Sequence, residues 1–189
     1  MADFKRRILV SITGMTPQVV TETLYALHQA GDPMPTEIHL LTTERGKNRA
    51  LRDLLDDKDG RFFDFCREFG LSGIDFAEHR VHVVRDAFGR MLPDIRTPQE
   101  NEAAADFIAR QVQEFCADTQ AQVHVSIAGG RKSMGFLPGY ALSLFGREQD
   151  RLTHVLVNEP FENNRDFFYP SAARGPLFAA DGSRLDVKQ

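Results

Sequence analysis

A chain of 189 residues, 42% hydrophobic and 26% charged, suits one globular domain with one core and excludes a low-complexity, disordered class. Its 27 acidic residues outnumber 23 basic ones, for a net charge of −4. That argues against binding long nucleic acid, which takes a broad basic surface, but leaves room for a small anion held by a few local donors. No window approaches the roughly 20 apolar residues of a membrane span. The start Met1 to Arg7 lacks the apolar run of a signal peptide. The only two cysteines, Cys66 and Cys116, fall in separate helical patterns, so free thiols and a cytoplasmic location are expected.

Residues 7–13 (RILVSIT) form a continuous apolar run that predicts a buried strand. Residues 17–30 follow as a helix, with Pro17 in its first turn and Val20, Leu24 and Leu27 at helical spacing; Gly31-Asp32-Pro33 ends it. A second strand is expected over 37–43. A charged helix over 44–56 carries Leu51, Leu54 and Leu55 on one side, and a short aromatic helix over 61–69 closes at Gly70. The third strand is read at 80–84. A long helix from about Pro98 to Asp118 has Ala105, Ile108, Val112 and Phe115 as its apolar stripe, and the fourth strand is read at 122–128. A helix over 132–145 should be kinked or delayed by Pro138. The fifth strand is read at 152–157, and the polar stretch from Gly175 as a loose tail or late hairpin.

Strands alternating with helices predict an α/β fold, a Rossmann-like and mainly parallel sheet with helices on both faces. One domain over 1–174 and a polar tail over 175–189 are expected. In such sheets ligands bind beyond the C-terminal ends of the strands, where connections diverge. Two places there stand out. After strand one, Ser11-Ile12-Thr13-Gly14-Met15-Thr16-Pro17-Gln18 packs hydroxyls, a glycine and a helix start together. Helix N-termini offer unpaired N–H groups and partial positive charge, which suit an anion. The plain alternative is a tight turn with Thr16 as helix N-cap. After strand four, Ser126-Ile127-Ala128-Gly129-Gly130-Arg131-Lys132-Ser133-Met134 joins two glycines to two cations at a helix start. Gly-Arg-Lys-Ser is similar to the tail of a Walker A loop, but that motif's first glycine is absent, and the dinucleotide fingerprint G-x-G-x-x-G is missing as well.

Residues 11–24 (SITGMTPQVVTETL) resemble the first motif of CARF domains, the CRISPR-associated Rossmann-like sensors, and 126–134 (SIAGGRKSM) resembles their second. Asp94-Ile95-Arg96-Thr97 with Asn101, Phe161-Glu162, and Phe167-Phe168-Tyr169-Pro170 are similar to further blocks of that family, so the likeness runs over about 7–170. The resemblance implies a homodimer that binds cyclic oligoadenylate across its two-fold axis, and the even symmetry of a tetra- or hexa-adenylate ring matches a dimer that presents each loop twice. Its ligand contacts would come from Thr13, Gly14, Thr16, Pro17 and Gln18 in the first loop, and from Ser126, Ala128, Gly129, Gly130, Ser133 and Met134 in the second.

A CARF-like domain without an effector resembles a ring nuclease, which cleaves the messenger by attack of a ribose 2′-hydroxyl on the neighbouring phosphate. Lys132 is then expected to stabilise the developing charge, Arg131 to assist it or clamp a phosphate, and Ser11 to orient the 2′-hydroxyl or the phosphate. The rival reading is a non-catalytic sensor that regulates a separate effector; a Rossmann-like enzyme with a nucleotide cofactor is a more distant one. No cofactor is expected, and no metal, since neither C-x-x-C nor H-E-x-x-H occurs. His79 and His82 should point to different faces. His28, His39 and His124 read as structural, and Asp56, Asp57 and Asp59 as a solvated loop. Arg147 and His154 match the Arg–His spacing of an effector ribonuclease but read as a solvated helix end and a sheet residue.

Overall fold

The computed structural model describes residues 4–129, 132–179 and 181–186, with the backbone alone for Lys132 and Ser133. The elements run β1 (Arg6–Ile12), α1 (Gln18–Ala30), β2 (Glu37–Thr42), α2 (Glu44–Asp53), α3 (Arg61–Glu68), β3 (Val81–Val83), α4 (Pro98–Ala117), β4 (Ala121–Ser126), α5 (Lys132–Phe145) and β5 (Arg151–Thr153). A small antiparallel hairpin, β6 (Leu177–Phe178) with β7 (Arg184–Leu185), follows, so the hairpin alternative holds for the late segment. The main sheet has the order β3-β2-β1-β4-β5, and every neighbouring pair is parallel. The expected α/β fold is thus the one the chain adopts.

The two cores follow from the pleat, which sends successive side chains to opposite faces. On one face Leu9, Ile38, Leu40 and Val81 meet Val20 and Leu24 of α1, Leu54, and Phe62 and Phe65 of α3. On the other, Ile8, Val10, Ile12, Val123 and Val125 meet Ile108 and Val112 of α4 and Met134 and Ala141 of α5. A capping box starts α4: Thr97 accepts from the Glu100 amide, Glu100 reaches back to Thr97, and Pro98 stands in the first turn.

Several expectations shift. The buried stripe of α4 is Ala104, Ile108, Val112 and Cys116, an unbroken four-residue spacing, with Ala105 and Phe115 half-buried at its margins. Pro138 lies inside an unbroken α5, lacking the N–H that would reach the Met134 carbonyl. β5 stops at Thr153, since β4 offers it only three partners, and Leu152 and Leu156 stay exposed at the sheet edge. His154 therefore lies past the strand. Arg147 is not a solvated helix end: it grips Asp150 through two nitrogens and donates to the carbonyls of Asp118 and Ala121, locking the α4–β4 turn to the α5–β5 turn.

Candidate functional site

The strand order places a switch point between β1 and β4. From β1 the chain steps outward through β2 to β3, then returns to lay β4 on the other side of β1. The connection after β1 leads to α1 on one face and the one after β4 to α5 on the other. This divergence opens a crevice, the usual ligand seat of open α/β sheets. Ser11 pairs in register with Ser126, so the two loops singled out in the sequence leave the sheet side by side. Gly129 closes the gap: a β-carbon there would lie 2.6 Å from the Ile12 carbonyl oxygen. Gly46 in the first turn of α2 does the same from the other side, where a β-carbon would meet the Gly14 carbonyl oxygen at 2.7 Å. Two glycines thus pack the loop after β1 against both neighbouring strand ends.

Over these loops opens a cavity of about 320 Å³, lined by Gly14, Met15, Thr16, Thr43, Arg45, Asp94 and Met134. Gly14, Thr16 and Met134 were expected there. Arg45, Thr43 and Asp94 were not placed in the site by the sequence reading. The available signal was that α2 also begins at a strand's C-terminal end, putting Thr43 and Arg45 beside the crevice; Asp94 belonged to a block that carried the resemblance. Arg45 is exposed. Asp94 receives the Arg96 side chain at 3.2 Å and the amide of Ile95 at 2.8 Å.

Burial corrects the expected reach of several side chains. Ser11, Thr13 and Ser126 are almost fully buried, and Gln18 and Pro17 are buried too. The reason is again the pleat: Ser11 and Ser126 point to the face roofed by α1. Ser126 Oγ lies 3.0 Å from Thr23 Oγ1 of that helix. Ser11 therefore does not stand open at the end of the sheet. Thr16 does not cap α1 either; Pro17 holds the N-cap position, with no side-chain cap bond. Ala128 is half-buried and Gly129 buried. Gly130 and Arg131 lie outside the described residues, as do the side chains of Lys132 and Ser133, while the backbone of Lys132 begins α5. Three buried polar atoms on β1, the loop after it and the first turn of α1 have no hydrogen-bond partner among the described residues: Ser11 Oγ, Thr13 Oγ1 and Gln18 Oε1. A buried polar group left so costs about 1–3 kcal/mol.

The other candidates sort themselves by surroundings. His39 joins a polar cluster under α4, with Nδ1 2.9 Å from His82 Nε2 and Nε2 3.1 Å from Glu37 Oε2. Arg80 lies 2.8 Å from the same Glu37 oxygen, and burial lowers the pKa of both imidazoles. His79 points away to Asp75, so the two histidines do diverge. His124 bonds Thr153 at 2.6 Å. Asp56, Asp57 and Asp59 are exposed. Cys66 and Cys116 are free thiols, each pushed up to about 11 by burial. Among the described residues, no group of three or more His, Cys, Asp or Glu is gathered to hold a metal ion, and no helix is long and apolar enough to cross a membrane.

The family model for CRISPR-associated protein NE0113 matches residues 16–180. The chain belongs to this family. The match begins at Thr16, near the end of the loop after β1, and takes in α1 and the whole loop after β4 of this NE0113-family protein. Among solved structures, Enterococcus italicus Csm6 bound to cyclic hexa-2′-fluoro-hexa-dAMP is similar over 85% of this chain and 35% of that one, at 14% identity and a TM-score of 0.48. A putative UDP-N-acetylglucosamine 2-epimerase from Listeria monocytogenes is similar over 82% of this chain and 31% of that one, at 16% identity and a TM-score of 0.39. The chain spans about a third of the length of these solved structures. A search of the curated proteins finds no match.

Proposed function

We propose that this NE0113-family protein is a ring nuclease that binds cyclic oligoadenylate, with cyclic tetra-adenylate as its main substrate, and cleaves it without a metal. The observation that carries the reading is the juxtaposition of the Gly14 and Gly129 loops at the β1–β4 switch point, the two segments whose residues resemble the CARF motifs. Membership of a CRISPR-associated family supports it.

In the proposed reaction a ribose 2′-oxygen forms a bond to the adjacent phosphorus and the bond to the 5′-oxygen breaks. The 2′-hydroxyl proton is lost, the 5′-oxygen gains one, and a 2′,3′-cyclic phosphate remains. Lys132, the first residue of α5, stabilises the charge that develops on the phosphoryl oxygens, assisted by Arg131. Buried under α1, Ser11 enters as a support of the loop and not as a group touching the 2′-hydroxyl.

A homodimer would present both loops twice to the ring. Its proposed interface is the outer side of α5, where Phe136, Tyr140 and Leu144 recur at four-residue spacing with 67%, 55% and 58% of their surface exposed. Such a stripe, continued by Leu152 of β5, which lies against Gly139 of α5, is the kind of patch that marks an association surface.

Incubation of the purified protein with cyclic tetra-adenylate in excess EDTA tests the reading. Linear products ending in a 2′,3′-cyclic phosphate are expected. A ring retained intact would instead make the protein a sensor, the alternative that the burial of Ser11 favours, and a ring neither retained nor cut would defeat both.

A further inference from the structure

A second cavity, of about 490 Å³, lies on the outer side of α1, between that helix and the segment 155–170. Its walls are aromatic. Tyr25, Phe161, Phe167 and Tyr169 all line it. They are held in place before any ligand arrives: Phe161 and Phe167 pack with ring centroids 4.9 Å apart, and the Tyr169 hydroxyl donates to Glu68 Oε2 at 3.1 Å. Within these walls stands Glu22, half-buried and with no hydrogen bond or ion pair among the described residues. The other titratable groups facing it are Tyr25 from its own helix, Glu159 and Tyr169 from the facing segment, and Asp186 from beyond β7. Among the described residues, no Lys, Arg or His lines the cavity. For a phosphate or carboxylate ligand the described side chains there offer no cation, only the amides of Gln29 and Asn158.

Desolvation alone pushes the Glu22 carboxyl up to about 7, so at neutral pH it is partly the neutral acid. A neutral carboxyl offers an O–H donor and a carbonyl acceptor side by side. The complement of that pair is a ring nitrogen next to an exocyclic amine, the edge that adenine carries. Aromatic walls suit a planar base, which stacks on them at about 1–3 kcal/mol per base.

We propose that this cavity is a nucleobase site selective for the amine-bearing edge of adenine, with Glu22 as its hydrogen-bonding anchor. The choice of adenine rests on the proposed function. Glu22 lies one helical turn after Gln18, and the cavity runs from it along α1 to Gln29. The loops after β1 and β4 would hold phosphates, and this cavity would hold a base.

Adenosine tests the site without any phosphate. Titration into the full chain, followed by amide NMR shifts, is expected to perturb Glu22, Tyr25 and Phe161. Purine riboside, which keeps the ring nitrogen and lacks the amine, is expected to bind about tenfold more weakly. Affinity for adenosine should fall about tenfold from pH 6 to pH 8, as the protonated fraction of Glu22 falls. Glu22→Gln keeps a donor and an acceptor at every pH, so it should bind adenosine at pH 8 as the wild type does at pH 6. Glu22→Ala should lose binding without any fall in melting temperature, since it removes a desolvated carboxyl. Absent shifts along α1, a pH-independent wild-type affinity, an affinity that rises with pH as for a cationic ligand, or a Glu22→Gln variant with the wild-type pH profile would each overturn the proposal. A parallel ring-retention measurement separates the two readings. A ring retained while adenosine leaves this cavity unperturbed ends the base-site proposal and spares the function. Adenosine seated here while no ring is retained does the reverse.

Discussion

Gly129 sits against Ile12 so closely that a β-carbon on it would come 2.6 Å from the Ile12 carbonyl oxygen and 2.9 Å from Val19 Cγ2. One contact therefore ties the loop after β4 to the end of β1 and to the first turn of α1. Gly129→Ala must push these apart, and overpacking of this kind costs about 1–3 kcal/mol. For a chain of this size that lowers the melting temperature by roughly 2–4 °C per kcal/mol. Ring binding should weaken as well, because the crevice is wedged open. A variant that melts with the wild type would show that the loop relaxes freely and does not set the site.

Lys132→Ala should slow single-turnover ring cleavage by about 10²–10³, the usual loss for one electrostatic contact to the reacting group. The melting curve should not move. Cleavage at the wild-type rate would remove Lys132 from the proposed chemistry. A large drop in melting temperature would make it structural.

Tyr140→Glu places a charge in the centre of the exposed α5 stripe, between Phe136 and Leu144. Light scattering should read a dimer for the wild type and a monomer for the variant. Ring binding should weaken along with the dimer. A wild-type monomer at micromolar concentration, or a variant that stays dimeric, would move the interface elsewhere.

Acid should destabilise the fold through its buried imidazoles. Burial lowers His124 and His82 from 6.5 to about 4, and lowers His39 as well. Between those values the unfolded chain takes up protons that the native state refuses. The contribution of each group is therefore complete above pH 6.5 and is lost as the pH falls toward 4. Glu22 acts in the opposite sense: its raised folded value favours the native state at lower pH, and that benefit is lost as the pH rises from 4.5 through 7. Melting temperatures at pH 7 and pH 5 should show a loss at pH 5 that is smaller in His124→Gln, a variant that keeps a partner for Thr153. Equal losses in the two proteins would mean that His124 titrates normally.

How far the site was legible depends on the kind of signal each residue gives. The loops after β1 and β4 could be found because glycines, hydroxyls and a helix start crowd together locally, and the strand order then set them side by side. Arg45 gave only the signal of a helix that starts at a strand's C-terminal end, since an arginine in a charged helix is ordinary; the packing of Gly46 against the Gly14 carbonyl brings the first turn of α2 to the crevice. Ser11 was misplaced for a related reason. Its position at the end of a strand is written in the sequence, but whether that end is open or roofed depends on how α1 crosses it.

Local chemistry in the sequence was enough to determine the alternating elements, the parallel sheet and the two candidate loops, because hydrophobic period, helix caps and turn residues act over a few positions. Tertiary structure alone decided which face each strand residue takes and what covers it. Ser11 and Ser126 lie beneath α1, Arg147 joins two distant turns through Asp118 and Ala121, and Glu22 stands unpaired among rings that come from residues 161–169. These outcomes depend on contacts between segments over a hundred positions apart or more than one element away, and burial, pairing and pKa are properties of those contacts.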